Sequence, residues 1–484
     1  MARTLVTRLV RAHYSGMKSF FSRYFGFEEP VDQRMYLRAG IALMLVKYLV
    51  DATVIHFATG SIWTPADYLL PLLTIRQAKI STFPTWLSVG LVLWTLPFVW
   101  IGVSMTLRRA VDAGKSPWCS LLFFLPLLNY AVMLWLASLP SAGSSSPWPK
   151  PVETVASGRM RSALLGIAAS IVIGPLVVAA STLMMKSYGL TLFLALPFVM
   201  GGVTAYIHNY GHARTSGETQ LVVMLGVLIV GGTLLLIALE GLICIVMAAP
   251  IALVAAILGG IVGRYAAIGG GAPPPSTAYL MLLLPAAAIA DRTATAPPVH
   301  EAVTTIIVNA PPERVWENVI RFNDITAPPS LPFRLGIAYP MRARILGSGV
   351  GAVRHCEFST GSFVEPITGW DEPRRLSFGV TSQPPALREL SPYTHVFAPH
   401  TNGFFKARRG EFRLVQLSDG RTRLEGSTWY TLEIYPQVYW RPIAEWLLTK
   451  IHMRVLEQVK RESELALNLA SFKGTDSQFG AFNR

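Results

Sequence analysis

Charge is what this 484-residue sequence has least of: Asp, Glu, Lys and Arg together make up 14%, where an ordinary soluble protein carries about 25%. A chain so poor in charge cannot keep its whole surface in water, which excludes an entirely soluble protein. Cysteine is nearly absent too. Cys119, Cys244 and Cys356 lie far apart, the first two inside apolar segments, so neither a disulfide framework nor a Cys-x-x-Cys metal site can be built. Acids are scarcer than bases, 28 against 42, for a net charge of +14. That excess does not argue for nucleic acid, because residues 1–297 contribute +10 of it as bases flanking apolar runs. Such flanking is the pattern of a membrane protein facing anionic lipid. Residues 298–484 hold 22 Lys+Arg and 18 Asp+Glu, a near-normal soluble composition. The expected fold class is a multi-span α-helical membrane protein followed by a water-soluble C-terminal domain.

Residues 1–34 have no apolar signal-peptide core. Leu5, Leu9, Val10, Tyr14, Met17 and Phe21 recur at helical spacing with Arg3, Arg8, Arg11, Lys18 and Arg23 between them. A bacterial interfacial helix with its bases on lipid phosphate is the favoured reading; a transit peptide would look similar. Runs near the ~20 residues needed to cross a bilayer occur at 36–57, 86–106, 119–139, 163–184 and 190–207. Leu221–Ala267 is too long for one span, and Glu240-Gly241 and Pro250 interrupt it. It reads as a helix to about 239, an interfacial piece across Glu240–Pro250, and a second helix to about 263. Residues 277–290 make a last, short candidate.

The expected organisation is a basic segment at 1–34, a first membrane module of three spans at 35–139 and a linker at 140–161. A second module of four or five spans at 162–290 and a linker at 291–302 follow. The C-terminal domain then occupies 303–470, before a tail at 471–484. The Pro/Gly/Ser-rich stretches Pro140–Pro151 and Gly269–Ser276 mark the breaks. The basic N-terminus is expected in the cytoplasm of a bacterial inner membrane. Eight spans put the C-terminal domain there as well, the favoured side; seven put it outside. The loop 140–161, with Lys150, Arg159 and Arg161, then falls outside against the positive-inside rule.

Lys47 and Asp51 stand four apart on one helix face inside the first span. A lone charge at mid-bilayer costs at least ~2.5–3.5 kcal/mol, so an intramembrane ion pair is expected, with a transporter's ion relay as the bolder alternative. His208 and His212 are also four apart, but no third metal ligand follows at fixed spacing, so no metal is expected. The stretch Arg108-Arg109-Ala110-Val111-Asp112-Ala113-Gly114-Lys115-Ser116-Pro117-Trp118 resembles the Arg-Arg-Leu-His-Asp-x-Gly-x-Ser-Gly-Trp loop of a bacterial inner-membrane family of unknown function. The resemblance covers about 35–139. It implies topology and no chemistry, and Ala110-Val111 and Pro117 depart from it.

The C-terminal pattern reads as strand, helix, a run of strands and one long helix. Thr304, Ile306 and Val308 alternate with outward residues. Ala310-Pro311-Pro312-Glu313 starts a helix with Val315, Trp316, Val319 and Ile320. Strands are expected at 341–347, 351–360, 363–370, 376–382, 410–417 and 421–432, with Ser418-Asp419-Gly420 as a hairpin turn. Gly347-x-Gly349-x-Gly351 joins two strands and starts no helix, so it is a turn, not a dinucleotide motif. Ile443, Leu447, Ile451, Val455 and Val459 form the stripe of the long helix.

Val308-Asn309-Ala310-Pro311-Pro312-Glu313-Arg314-Val315-Trp316 resembles the opening signature of the SRPBCC superfamily, the helix-grip fold of START-like lipid-transfer domains, pollen-allergen-like carriers and polyketide cyclases. Asp371-Glu372-Pro373-Arg374-Arg375-Leu376-Ser377-Phe378 and the closing helix are similar as well, over about 301–466. The resemblance implies an antiparallel sheet around the long C-terminal helix, with a space for a guest between them.

Alternation turns Ala352, Arg354, Cys356 and Phe358 inward on one strand, Phe363, Glu365 and Ile367 on the next, and Leu424, Thr428 and Tyr430 on the last. Phe378 faces the same space. An inward arginine needs a partner or an anionic ligand, and a hairpin near Thr360-Gly361 brings Arg354 diagonally close to Glu365. The expected ligand-binding set is Arg354, Cys356, Phe358, Glu365, Phe378, Leu424, Thr428 and Tyr430. The expected function is a membrane-anchored domain holding a hydrophobic or lipid-like small molecule at the membrane surface. No cofactor and no catalytic residue is assigned, since neither His355, His395, His400 nor His452 pairs by spacing with a nucleophile. A polyketide cyclase/dehydratase-like or lipid-modifying enzyme is the first alternative, a transporter using Lys47 and Asp51 the second.

Overall fold

The computed structural model describes residues 23–26, 29–69, 83–115, 119–120, 123, 128–142, 158–268, 275–293, 296–321, 324–391, 401 and 403–479. Most of the expected basic N-terminal helix, and His395 and His400, lie outside the described residues. The chain forms two compact units: Met1–Thr233 with Ala248–Thr295, and Leu234–Met247 with Ala296–Arg484.

The first unit is helical. Its longer helices are α1 (Gln33–Thr59), α2 (Thr85–Asp112), α3 (Leu128–Ser138), α4 (Arg159–Ala179), α5 (Leu196–Asn209), α6 (Ser216–Leu236), α7 (Leu242–Ile268, whose first turns belong to the second unit) and α8 (Pro275–Thr293). A π-helical turn, Ala180–Met184, extends α4, and another, Thr191–Ala195, leads into α5. Among the described residues five helices are long and apolar enough to cross a membrane: α1, α4 with its π turn, α5 with its π turn, α6 and α7. The expected interfacial piece at Glu240–Pro250 is corrected. The break is confined to the few residues before Leu242, and Pro250 sits inside α7, where a membrane helix tolerates proline once neighbouring groups satisfy the freed carbonyl.

Small residues decide how these helices meet. Gly166, Ser170 and Gly174 on α4 face Thr204 and Met200 on α5. Gly259 and Gly263 on α7 touch the backbone of α5. A Cβ at either would sit 1.9 Å from the Phe198 carbonyl oxygen or 2.0 Å from that of Gly202. Lipid offers no hydrophobic drive for helix association, so such close approach is what holds the bundle.

The Arg-Arg stretch is the end of α2 and not a surface loop. Gly114 (φ 65°) lets the chain turn back, with Gly114 N–H donating to Val111 O at 3.0 Å and Lys115 N–H to Ala110 O at 2.8 Å. That is a Schellman C-cap, which explains the glycine of the motif. Arg108 and Arg109 are both fully buried. Arg109 donates to the carbonyls of Leu136 (3.1 Å) and Leu139 and pairs with Asp112. Arg108 reaches the carbonyls of Arg23 (2.8 Å) and Glu29 (3.3 Å).

The second unit is a seven-stranded antiparallel sheet in the order β1-β7-β6-β5-β4-β3-β2. The strands are β1 (Val299–Val308), β2 (Pro340–Leu346), β3 (Val353–Phe358), β4 (Gly361–Asp371), β5 (Arg375–Gly379), β6 (Phe405–Gln416) and β7 (Thr422–Leu432). Gly347, Gly349 and Gly351, all at positive φ, turn β2 into β3, and Gly420 (φ 82°) turns β6 into β7. Helix α9 (Pro312–Ile320) follows β1, and α10 (Leu331–Arg334) precedes β2. Helix α11 (Gln437–Phe479) closes the chain and packs on β1 and β7.

Trp316 of α9 is buried in one core with Leu376, Phe412, Leu424, Val455 and Val459. The segment Leu234–Met247 completes this unit. Leu242 N–H donates to Leu390 O at 3.0 Å, Ile243 N–H to the Glu389 carboxylate at 3.2 Å, and Ile243 is buried with Phe333 and Ile337.

Candidate functional site

The side chains that alternation turns inward meet on the helix-facing side of the sheet. Arg354 of β3 and Glu365 of β4 are direct register partners, closer than the diagonal expected from sequence, and they form a buried ion pair. The guanidinium lies over two rings, 4.7 Å from the centroid of Phe378 and 5.7 Å from that of Phe412, so its face meets π density while its edge meets the carboxylate. Burial pushes the Glu365 carboxyl up, against the pull of Arg354. Burial also raises the Cys356 thiol, to about 12, with Arg354 opposing; a thiol held neutral is no nucleophile. The rings of Phe358 and Phe363 lie 4.7 Å apart, tilted by 56°, and Leu424 is fully buried.

A second polar group faces the N-terminal half of α11. Tyr430 is fully buried, stacked on Phe405 at 5.3 Å and 5.6 Å from the His300 ring. Its hydroxyl reaches Glu445 at 3.5 Å, and Glu445 accepts from Arg441 at 2.7 Å. Burial raises the phenol, and Glu445 adds to the effect. Thr428 serves His452, which sequence reasoning missed as a site member. The imidazole shares hydrogen bonds with Thr304 (Nδ1 to Oγ1, 3.0 Å) and Thr428 (Nε2 to Oγ1, 2.8 Å). Burial holds it down to about 4, so at neutral pH one threonine donates to the ring and the other accepts from it.

The signal that could have found this group is the track Gln437, Arg441, Glu445, Leu448, His452, spaced for one helix face. On the other side of the sheet Glu411 takes bonds from Ser377 (2.9 Å), Arg409 and Arg413 (3.2 Å). Although burial works against the charge, these donors keep its carboxyl below the usual range.

In the membrane unit Lys47 and Asp51 are both buried and form the expected pair, with Lys47 5.9 Å from the centroid of Phe98 on α2. His208 and His212 part company. His208 is buried, 3.1 Å from Ser162 Oγ and 3.4 Å from the Glu218 carboxylate, whereas His212 is exposed. Among the described residues no three His, Cys, Asp or Glu side chains are grouped as metal ligands.

The fold and these sites define a multi-pass membrane chain that carries an antiparallel sheet gripping its final helix. A family model described as "Protein of unknown function (DUF805)" matches residues 24–148, the region that holds the Arg-Arg stretch. No curated protein matches the chain. Among solved structures the chain is similar to the ZhuI aromatase/cyclase from Streptomyces sp. R1128, at 18% identity over 34% of this chain and 94% of that one, TM-score 0.24. It is similar to norcoclaurine synthase from Thalictrum flavum, solved with dopamine and hydroxybenzaldehyde, at 15% over 36% and 89%, TM-score 0.23. A protein from Nitrosospira multiformis is similar at 21% over 34% and 95%, TM-score 0.21.

Proposed function

We propose that the C-terminal unit binds a hydrophobic or amphipathic small molecule between its sheet and α11, and that the membrane helices keep it beside the lipid surface where that ligand resides. One observation carries this reading: the Arg354–Glu365 pair sits inside an aromatic surround, facing the gripped helix. Burying two charges is costly even when they are paired, so a pair kept there suits a ligand with a polar end and an apolar body. Cys356, Phe358, Phe378 and Leu424 would meet the body, and Thr428 and Tyr430 would line the far end. Tethering raises effective concentration at the membrane without new contacts.

Native mass spectrometry of the full chain in mild detergent tests this. A retained lipid-like species, lost or exchanged for another in an Arg354→Met/Glu365→Met double variant, is the expected result. A folded protein that neither retains such a species nor binds a fluorescent acyl probe would refute it. Turnover of the retained species, abolished by the same variant, would move the reading to a cyclase-like or lipid-modifying enzyme. Flux abolished by Lys47→Ala or Asp51→Ala, with the C-terminal unit empty, would move it to a transporter.

A further inference from the structure

We infer that residues 113–141 return to the end of the membrane unit they leave, and that the C-terminal unit therefore stands outside the cytoplasm. The two ends of this stretch are bonded backbone to backbone: Ala142 N–H donates to Asp112 O at 2.8 Å, and Ser141 Oγ donates to the Asp112 carboxylate at 2.6 Å. Arg109, from the last turn of α2, holds the carbonyls of Leu136 and Leu139. The start of α1 is at the same place, since Gln33 Nε2 donates to Ala137 O at 2.9 Å. A stretch that begins and ends at one point crosses the membrane an even number of times, whatever its path. The third apolar run therefore changes nothing in the parity.

The other helices fix the rest. Ser162 meets His208 and Ser170 meets Thr204, so α4 and α5 run antiparallel. Arg159 pairs with Glu218, and Arg264 donates twice to Arg214 O, at 3.0 and 2.8 Å. The start of α4, the end of α5, the start of α6 and the end of α7 thus share one end. Arg108, near the end of α2, interacts electrostatically with Tyr265, near the end of α7, which joins that end to the one holding Asp112. Helix α8 leaves from there and finishes at the opposite end, where Asp291 accepts from Leu190 N–H at 2.7 Å and Thr191 N–H at 3.0 Å. Seven crossings result: the five helices long and apolar enough by themselves, with α2, which brings the chain back to the end of Asp112, and α8, which carries it to the far end.

Charge agrees with this arrangement. Of the 13 described Lys and Arg before residue 298, only Lys186 and Arg292 fall at the far end and Lys47 lies within α1; the other ten gather at the end of Asp112. The positive-inside rule makes that end cytoplasmic. A crossing by the third apolar run would have sent Arg159 and Arg161 outside; its return brings them in. With the proposed function, on which this last step alone rests, the ligand is an amphipathic molecule reached from the non-cytoplasmic leaflet.

Single cysteines read the sidedness without reference to any ligand. Ser61→Cys, Ser216→Cys and Ser418→Cys are all at exposed positions. They are placed in the full chain and treated with a membrane-impermeant maleimide in spheroplasts, against the labelling of the parent's own three cysteines. Ser61→Cys and Ser418→Cys should label at least tenfold more than Ser216→Cys, and permeabilisation should equalise all three. Protection of Ser418→Cys together with Ser216→Cys would overturn the inference. Protection of Ser61→Cys and Ser418→Cys with Ser216→Cys labelled would overturn the assignment to the outside.

Discussion

Buried guanidinium groups in this protein are satisfied in different ways. Arg108 and Arg109 spend most of their donors on backbone carbonyls, with Asp112 also pairing Arg109, whereas Arg354 meets a carboxylate and two rings. Removing one partner of a buried pair leaves the other charge uncompensated, at about 3–5 kcal/mol, while replacing both can be neutral or stabilising. Arg354→Met and Glu365→Gln should each lower the unfolding free energy of the C-terminal unit by about that amount. The Arg354→Met/Glu365→Met variant should recover most of it, and a double-mutant cycle on denaturant unfolding checks this. His452 gives a pH signature. Its folded pKa, about 4, lies below the usual 6.5, so between those values the unfolded chain binds the proton and the folded one does not. Stability should fall by up to about 3 kcal/mol as pH drops from 6.5 to 4. A His452→Gln variant should show a flatter pH profile over that window.

At the scale of elements, the strands were the most legible part, because period-2 alternation survives wherever one face is buried. Arg354, Cys356, Glu365, Leu424 and Tyr430 are all buried as that alternation requires. The long helix was read less well. A stripe at strict four-residue spacing drifts around the axis by about 40° per step. Val455 and Val459 accordingly reach the sheet core, while Leu447 and Ile451 pack beside Phe333 and Ile337. The sheet-facing track in the first half is the polar one ending at His452, hidden because polar periodicity on a helix looks the same whether it faces water or a sheet. In the membrane unit Gly259-x-x-x-Gly263 was the overlooked signal, a close-packing pattern in an apolar helix. Gly263→Val should separate α7 from α5 and lower the melting temperature in detergent by several degrees. Gly232→Ala, which has open space around its Cβ position, should leave it unchanged or raise it slightly.

For the whole molecule, apolar length locates helices but says nothing about which ends meet, so the span count could not be read from hydropathy. What settles the end of α2 is a set of directed bonds among Arg109, Asp112, Leu136 and Ser141. Arg109→Gln should therefore loosen α3 with little effect on the sheet. Hydrogen exchange should rise at residues 128–142 and stay constant in β3 and β4.

The contribution of Ile243 to the core beside Phe333 and Ile337 has a further consequence. The unit that holds the sheet is not one continuous stretch of its gene, for a plug cut from the middle of the chain fills a notch in its end. A fragment begun at residue 296 would carry an open greasy scar, and should clump or melt early. Evolution could not have shed the anchor from this domain by a single truncation without first patching that wound.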